Sequence, residues 1–276
     1  MNNLYWSIRR ELWENRSIYL APLIAGGIVL FGHFVSLART SERLRGAAGG
    51  NLQQAGETHY IVGAIVLMAI QLVVAIFYCL DALYGERRDR SVLFWKSMPV
   101  SDRTAVLAKA MIPILVLPMV TWMTTVVTQD IMLVINGVAR TVVPADLSFS
   151  SISRIHFGHL VLFHGLWYAP LYAWLLLVSA WATRVPFLWA VLPPAAVAIV
   201  ERMAFGTNTV AHLLQWLFLG STESVSMNGG PTAMTMETLM PNTGWSLLGP
   251  QLWIRLAISA VLLFGAIRLR RSRGVI

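Results

Sequence analysis

The sequence predicts an all-α membrane protein with six transmembrane helices, and three observations carry that reading. Of 276 residues, 57% are hydrophobic and only 12% charged, about half the charged fraction of an ordinary soluble domain. The apolar residues gather into runs of about 20, the length that crosses a bilayer as a helix, at roughly 17–38, 60–80, 109–129, 158–182, 186–205 and 247–268. The basic residues then alternate across those runs. With the N-terminus inside, fourteen Lys and Arg fall in inside segments and five in outside segments, an asymmetry that orients the chain with both termini cytoplasmic. Orientation in a membrane accounts for the net charge of +8 without a nucleic-acid partner.

Residues 1–276 read as one domain with no internal repeat or linker. Residues 1–16 predict an interfacial helix: Leu4, Tyr5, Ile8 and Leu12 share a face that Trp6 and Trp13 extend, while Arg10, Glu11 and Glu14 occupy the other side. Two tryptophans in so short a stretch suit a headgroup layer. The first apolar run is longer than a signal-peptide core and reads as a retained span. Its Gly26 and Gly27 allow another helix to approach. Pro113 and Pro118 in the third span, Pro170 in the fourth and Pro193 with Pro194 in the fifth each remove a backbone donor and favour a kink. Segment 206–246 has no Lys or Arg and is expected to face outward. Within it Val210, Leu213, Leu214, Trp216, Leu217 and Phe218 form an apolar stretch too short to cross, which predicts a re-entrant or interfacial segment before the last span.

The inside segment 81–108 is the most informative. Glu86, Arg87, Arg88, Asp89 and Arg90 run straight into Leu93, Phe94 and Trp95. Asp89 or Ser91 can cap a short helix that Pro99 stops, and Ser101 can cap the helix that enters the third span through Lys109. An aromatic knob rimmed by arginine has the composition of a protein contact.

Here the chain resembles the bacterial type-2 ABC transporter permeases, whose second and third spans are joined by Glu-Arg, a small or polar pair, hydrophobics, Pro, a small residue, Ser and a later Lys. The matching residues are Glu86, Arg87, Ser91, Leu93, Pro99, Val100, Ser101 and Lys109, which span about a tenth of the chain. Asp89 and Arg90 stand where the family commonly has Gly, and the Phe94–Trp95 pair is unusually heavy, pointing to a subfamily with its own partner ATPase. Six spans, an N-terminal interfacial helix and an outer hydrophobic hairpin extend the likeness over nearly the whole chain. The resemblance implies a permease subunit of an ATP-driven exporter in the bacterial inner membrane. Two copies would form the pathway, and separate ATPase subunits would dock on a coupling helix carrying Glu86, Arg87, Arg88, Asp89, Arg90, Leu93, Phe94, Trp95, Pro99 and Ser101. ATP and Mg would then be held by those partners. This chain has no GxxxxGK[ST], and neither of its two lysines, Lys96 and Lys109, follows a glycine. Many aromatics and few intramembrane charges favour an amphipathic or hydrophobic cargo such as a peptide, drug or lipid.

Other candidates are weaker. Glu201 and Arg202, near the outer end of the fifth span, are either a gate at the exit or an interfacial pair with the outer segment. His156, His159 and His164 do not converge on one helix face and have no carboxylate within a turn, so no metal site is assigned. Asp130 is placed at the outer water boundary, Asp81 beside a loop arginine, and Gln71 in mid-span against either a neighbouring helix or the pathway. Cys79 is the only cysteine, which leaves no intramolecular disulfide. No GxSxG or HExxH is present and the acids lie at span ends, so no catalytic residue is assigned. A non-transporting scaffold or sensor that engages the same ATPase is the alternative reading, and an intramembrane enzyme the weaker one.

Overall fold

A computed structural model describes residues 3–44, 52–89, 101–138, 165–218 and 250–272, and every regular element among them is a helix. In chain order these are α1 (Asn3–Glu14), α2 (Ser17–Leu44), α3 (Leu52–Ala82), α4 (Tyr84–Arg88), α5 (Asp102–Met111), a π turn (Ile112–Val116), α6 (Leu117–Val138), α7 (Ala169–Trp181), α8 (Pro186–Phe205), α9 (Thr209–Phe218) and α10 (Pro250–Ser272). Among the described residues, five helical stretches are long and apolar enough to cross a membrane: Ser17–Leu37, Val62–Arg88, Asp102–Gly137, Pro186–Phe205 and Pro250–Ser272. By length and composition the protein is therefore a multi-pass membrane protein. The predicted fourth span is represented by α7, 13 residues long and thus about 20 Å at 1.5 Å per residue; the preceding stretch 158–164 lies outside the described residues.

The helices run up and down between two ends. We call the end holding α1, α4 and the start of α5 the base; α3, α7 and α10 finish there, whereas α2, α6 and α8 begin near it. α7 packs most extensively on α10 and also contacts α3, while α2 packs on α3 and α6. The main buried cluster sits toward the base, where Tyr78 and Cys79 of α3, Ile112 of the π turn, Leu117 of α6 and Tyr172 and Leu176 of α7 meet. Large apolar side chains cover the outside of α2, α8 and α10, among them Phe31, Phe187, Met203 and Trp253, as expected where the surrounding solvent is hydrocarbon rather than water.

The prolines act in three different ways. Pro113 lies inside the π turn, where a widened turn accommodates a ring that has no N–H to give and that clashes with the carbonyl four residues back. Pro118 lacks the donor that would reach Ile114, and Gly165 packs against that same carbonyl so closely that an added Cβ would collide with it. Pro170 opens α7 in its first turn, a position where the missing N–H costs nothing; the irregularity of this stretch lies just before it, at 165–168. Pro193 and Pro194, in contrast, lie inside α8, which continues past them as one helix. α8 is flanked by Val185, which precedes it with φ +42°, and by Gly206, which follows it with a φ of +66° that lets its N–H bond the Arg202 carbonyl.

Close approach of α2, α3 and α6 depends on glycine. A Cβ on Gly26 would press on Thr128 Oγ1 and Thr124, and one on Gly63 would press on Val29. Gly26 thus serves the packing role expected of it, whereas Gly27 faces open space. Along this seam His33 Nε2 lies 3.1 Å from Asn136 Oδ1, Asn136 donates to the Tyr60 hydroxyl at 2.8 Å, and Gln129 donates to the Tyr60 carbonyl at 3.2 Å. The links run through amides, a phenol, a backbone carbonyl and one histidine, with no carboxylate, lysine or arginine, groups that helices can share away from water.

Candidate functional site

The N-terminal helix departs from its sequence reading. Glu11, expected on the solvent side with Arg10 and Glu14, is 1% exposed, and Ser7 is buried beside it. Ile8 and Leu12 pack on the protein core, while Trp6 and Trp13 face outward, Trp13 with 69% of its surface exposed. Arg9 lies 5.3 Å from the Trp6 ring centre and 4.8 Å from that of Trp13, spacing that i−3 and i+4 neighbours on a helix provide. The physical reason for the inversion is a partner 98 residues away: Lys109 Nζ donates to Glu11 Oε1 at 2.8 Å.

That bond belongs to a cluster. Glu11 also accepts from the Tyr78 hydroxyl at 3.0 Å and from Arg10 at 3.1 Å. Lys109, 3% exposed, lies 3.2 Å from Glu86 as well. Glu86 in turn lies 3.0 Å from Arg270 and 3.7 Å from Arg10, and Arg270 reaches Asp102 at 3.3 Å. Burial alone would push the Glu11 carboxyl up, but the Lys109 ammonium and the Arg10 guanidinium outweigh it and hold the pKa below its ordinary 4.5. Four helices meet on these charges: α1 through Arg10 and Glu11, α4 through Glu86, α5 through Asp102 and Lys109, and α10 through Arg270. α5 is started by Ser101, whose hydroxyl accepts from the Thr104 N–H at 3.1 Å.

The break between α3 and α4 is held by a single hydroxyl. Ser179 Oγ accepts from the N–H groups of Leu83 and Tyr84 at 3.1 and 2.9 Å and donates to the Leu80 carbonyl at 2.8 Å. Arg87 then donates to the Ser179 carbonyl and, at 2.8 Å, to the Ala182 carbonyl, closing the last turn of α7 with a cation where the helix dipole is negative. α4 is therefore fixed on both sides, by Arg87 to α7 and by Glu86 to α1, α5 and α10.

Of the predicted coupling residues, Glu86 and Arg87 are thus interior anchors, Ser101 is a helix cap, and Arg88 and Asp89 are exposed and paired with each other at 3.1 Å. Arg90, Ser91, Leu93, Phe94, Trp95, Pro99 and Val100 lie outside the described residues, as do His156, His159 and His164. No group of three metal-ligating side chains occurs among the described residues. Asp81 has its carboxylate against Gly85. Asp130 is half-buried on α6. Gln71 is fully buried in α3, with neither amide atom bonded to a described residue.

At the far end, Glu201 accepts from the Thr207 hydroxyl at 2.7 Å and from the N–H groups of Thr209 and Val210 at 2.8 and 2.7 Å. It is the cap of α9, packing the start of that helix against the end of α8; the Arg202 side chain is exposed. α9 is the helix formed by the short apolar stretch, and its Phe218 ring lies 6.4 Å from Trp174. Arg255, within the last apolar run, is fully buried. It donates to the carbonyls of Trp167, at 3.1 Å, and Trp216, with its guanidinium 4.4 and 4.9 Å from their ring centres. One arginine inside an apolar run was the signal available for it. Nothing in the sequence pattern marks Ser179.

No protein-family model matches the chain, and neither a curated protein nor a solved structure aligns with it.

Proposed function

We propose that this chain is the membrane-spanning permease subunit of an ATP-driven exporter of the type-2 ABC class, lying in a bacterial inner membrane with six crossings and both termini in the cytoplasm. Two copies form the pathway, separate ATPase subunits holding ATP and Mg drive it, and the cargo is amphipathic or hydrophobic. α1 lies in the inner headgroup layer with Trp6 and Trp13 toward lipid, and α9 is the re-entrant or interfacial piece before the last crossing.

The observation that carries the reading is the mooring of Glu86. It opens the segment that resembles a coupling helix, and it is held by Arg10, Lys109 and Arg270 from three other helices. A push applied to the segment after Glu86 is thereby delivered to the third and last spans together, since packed helices move as bodies rather than deform. Closure of the ATPase dimer on ATP supplies that push.

The test is to isolate the tagged chain from its native membrane and ask what accompanies it. A nucleotide-binding ATPase should co-purify, and Phe94→Ala with Trp95→Ala should release it, because a buried aromatic anchor contributes about 2 kcal/mol or more to binding. Glu86→Lys should leave ATP hydrolysis running without transport. An ATPase bound equally by the aromatic double variant would overturn the docking assignment; an intact complex that moves no cargo would favour the scaffold or sensor reading.

A further inference from the structure

Between the start of α5 and the last turns of α10, the base opens into a groove of about 650 Å3. Phe264 and Ile267 line one part of it, and Asp102, Arg103, Arg268 and Arg271 line the other. We propose that this groove holds an anionic phospholipid, with the phosphodiester headgroup among Arg103, Arg268 and Arg271 and an acyl chain along Phe264 and Ile267.

Charge is the first argument. Asp102, the one carboxylate lining the groove, already faces Arg270 at 3.3 Å, so it does not neutralise the three arginines. None of the three forms an ion pair with a described residue. The three guanidinium groups are exposed and open to an anion, and a set of phosphate oxygens is a natural acceptor for several of them.

Depth is the second. α10 is one of the helices apolar enough to cross a membrane, and Arg268 and Arg271 stand in its last turns, where an inner-leaflet headgroup layer meets the hydrocarbon. Phe264 lies one turn deeper, 56% exposed, with the Arg268 guanidinium 5.5 Å from its ring centre. A groove that is basic at headgroup level and apolar one turn deeper matches an acidic lipid from end to end. A soluble acidic segment would meet the arginines but leave the phenylalanine side uncovered. The proposal rests on the orientation proposed above, with the end of α10 at the inner leaflet, and not on exporter activity.

Native mass spectrometry of the full chain in mild detergent tests it, with phosphatidylglycerol, phosphatidylcholine and inorganic phosphate titrated separately. Phosphatidylglycerol should bind at least tenfold more tightly than phosphatidylcholine, at a surface value of about fivefold per arginine. Arg103→Gln, Arg268→Gln and Arg271→Gln together should abolish that preference while leaving phosphatidylcholine binding unchanged; if the triple variant does not fold, Arg268→Gln alone should lower the preference about fivefold. Equal binding of the two lipids by the wild type, or a preference that survives loss of the arginines, would overturn the site. Displacement of phosphatidylglycerol by millimolar inorganic phosphate would overturn the lipid in favour of a free anion. An acidic protein co-purifying in place of lipid, and lost in the same variants, would overturn it in favour of a protein contact.

Discussion

At the base, Lys109 is buried between the carboxylates of Glu11 and Glu86, 2.8 and 3.2 Å away; at the far end, Arg255 is buried as deeply, between two indole rings and two carbonyl groups. Both are cations removed from water, and they are compensated differently. The base sets full opposite charges against each other across α1, α4, α5 and α10, so loss of one member leaves the buried charges out of balance. Arg255 is held by dipoles and π faces, which need no counter-charge once the cation is gone. The first arrangement fixes four separate pieces of chain in register, a role in which buried ion pairs are best attested. The second clamps one helix to the residues just before α7 and at the end of α9.

The largest effect that separates the two regions is expected from Lys109→Met. Removing the ammonium takes a cation from two buried carboxylates at once, leaving Glu11 to Arg10 and Tyr78 and Glu86 to Arg270 and Arg10, so the cost should approach but not exceed the about 3–5 kcal/mol of a fully broken buried pair. Unfolding by detergent titration reads it, and a stability equal to wild type would dissolve the contrast. Arg255→Met, which keeps the volume and removes the charge, should cost less, about 1–2 kcal/mol, the scale of a desolvated cation–π contact. If Arg255→Met proves the more damaging, the far-end cation has a counter-charge the dipole account omits.

The seam of α2, α3 and α6 provides the lower reference. Asn136→Leu removes the links to His33 and Tyr60 and should cost about 1 kcal/mol, given membrane hydrogen bonds averaging about 0.6 kcal/mol. The most gradual effect is a pH dependence. Glu11 has its folded pKa below the ordinary 4.5, so its contribution is fully present above that value and is lost as the pH falls through the lowered folded pKa. Glu11→Gln should remove this acid phase from the midpoint of thermal unfolding. If the same acid phase persists in that variant, it belongs to another carboxylate.

Much of this was legible in the chain because it depends on composition over windows of a helix length. The apolar runs predicted the long helices, Ser101 predicted the start of α5, and the Val210–Phe218 stretch gave a helix too short to cross. The amphipathic reading of residues 1–16 located a helix there but turned Glu11 the wrong way, since a helical wheel ranks residues by their affinity for water and cannot see a lysine waiting in the interior. Pro170, read as a break in the fourth span, stands in the first turn of α7 directly after the irregular stretch 165–168. Glu201, by its position near a span end either a gate or a partner of the outer segment, is bonded to that segment, where the N–H groups of Thr209 and Val210 fold back onto it.

What the sequence determined alone is the solvent of this protein and the approximate course of its helices, because the cost of placing apolar or charged residues in water or lipid is paid locally, residue by residue. Only the tertiary structure decided which charges are interior. Arg270 is one of three arginines between Arg268 and Arg271, and nothing in their spacing distinguishes it from the two in the groove. Its place against Glu86 follows from where α10 ends beside α4, a relation between segments almost two hundred residues apart that local physics leaves open.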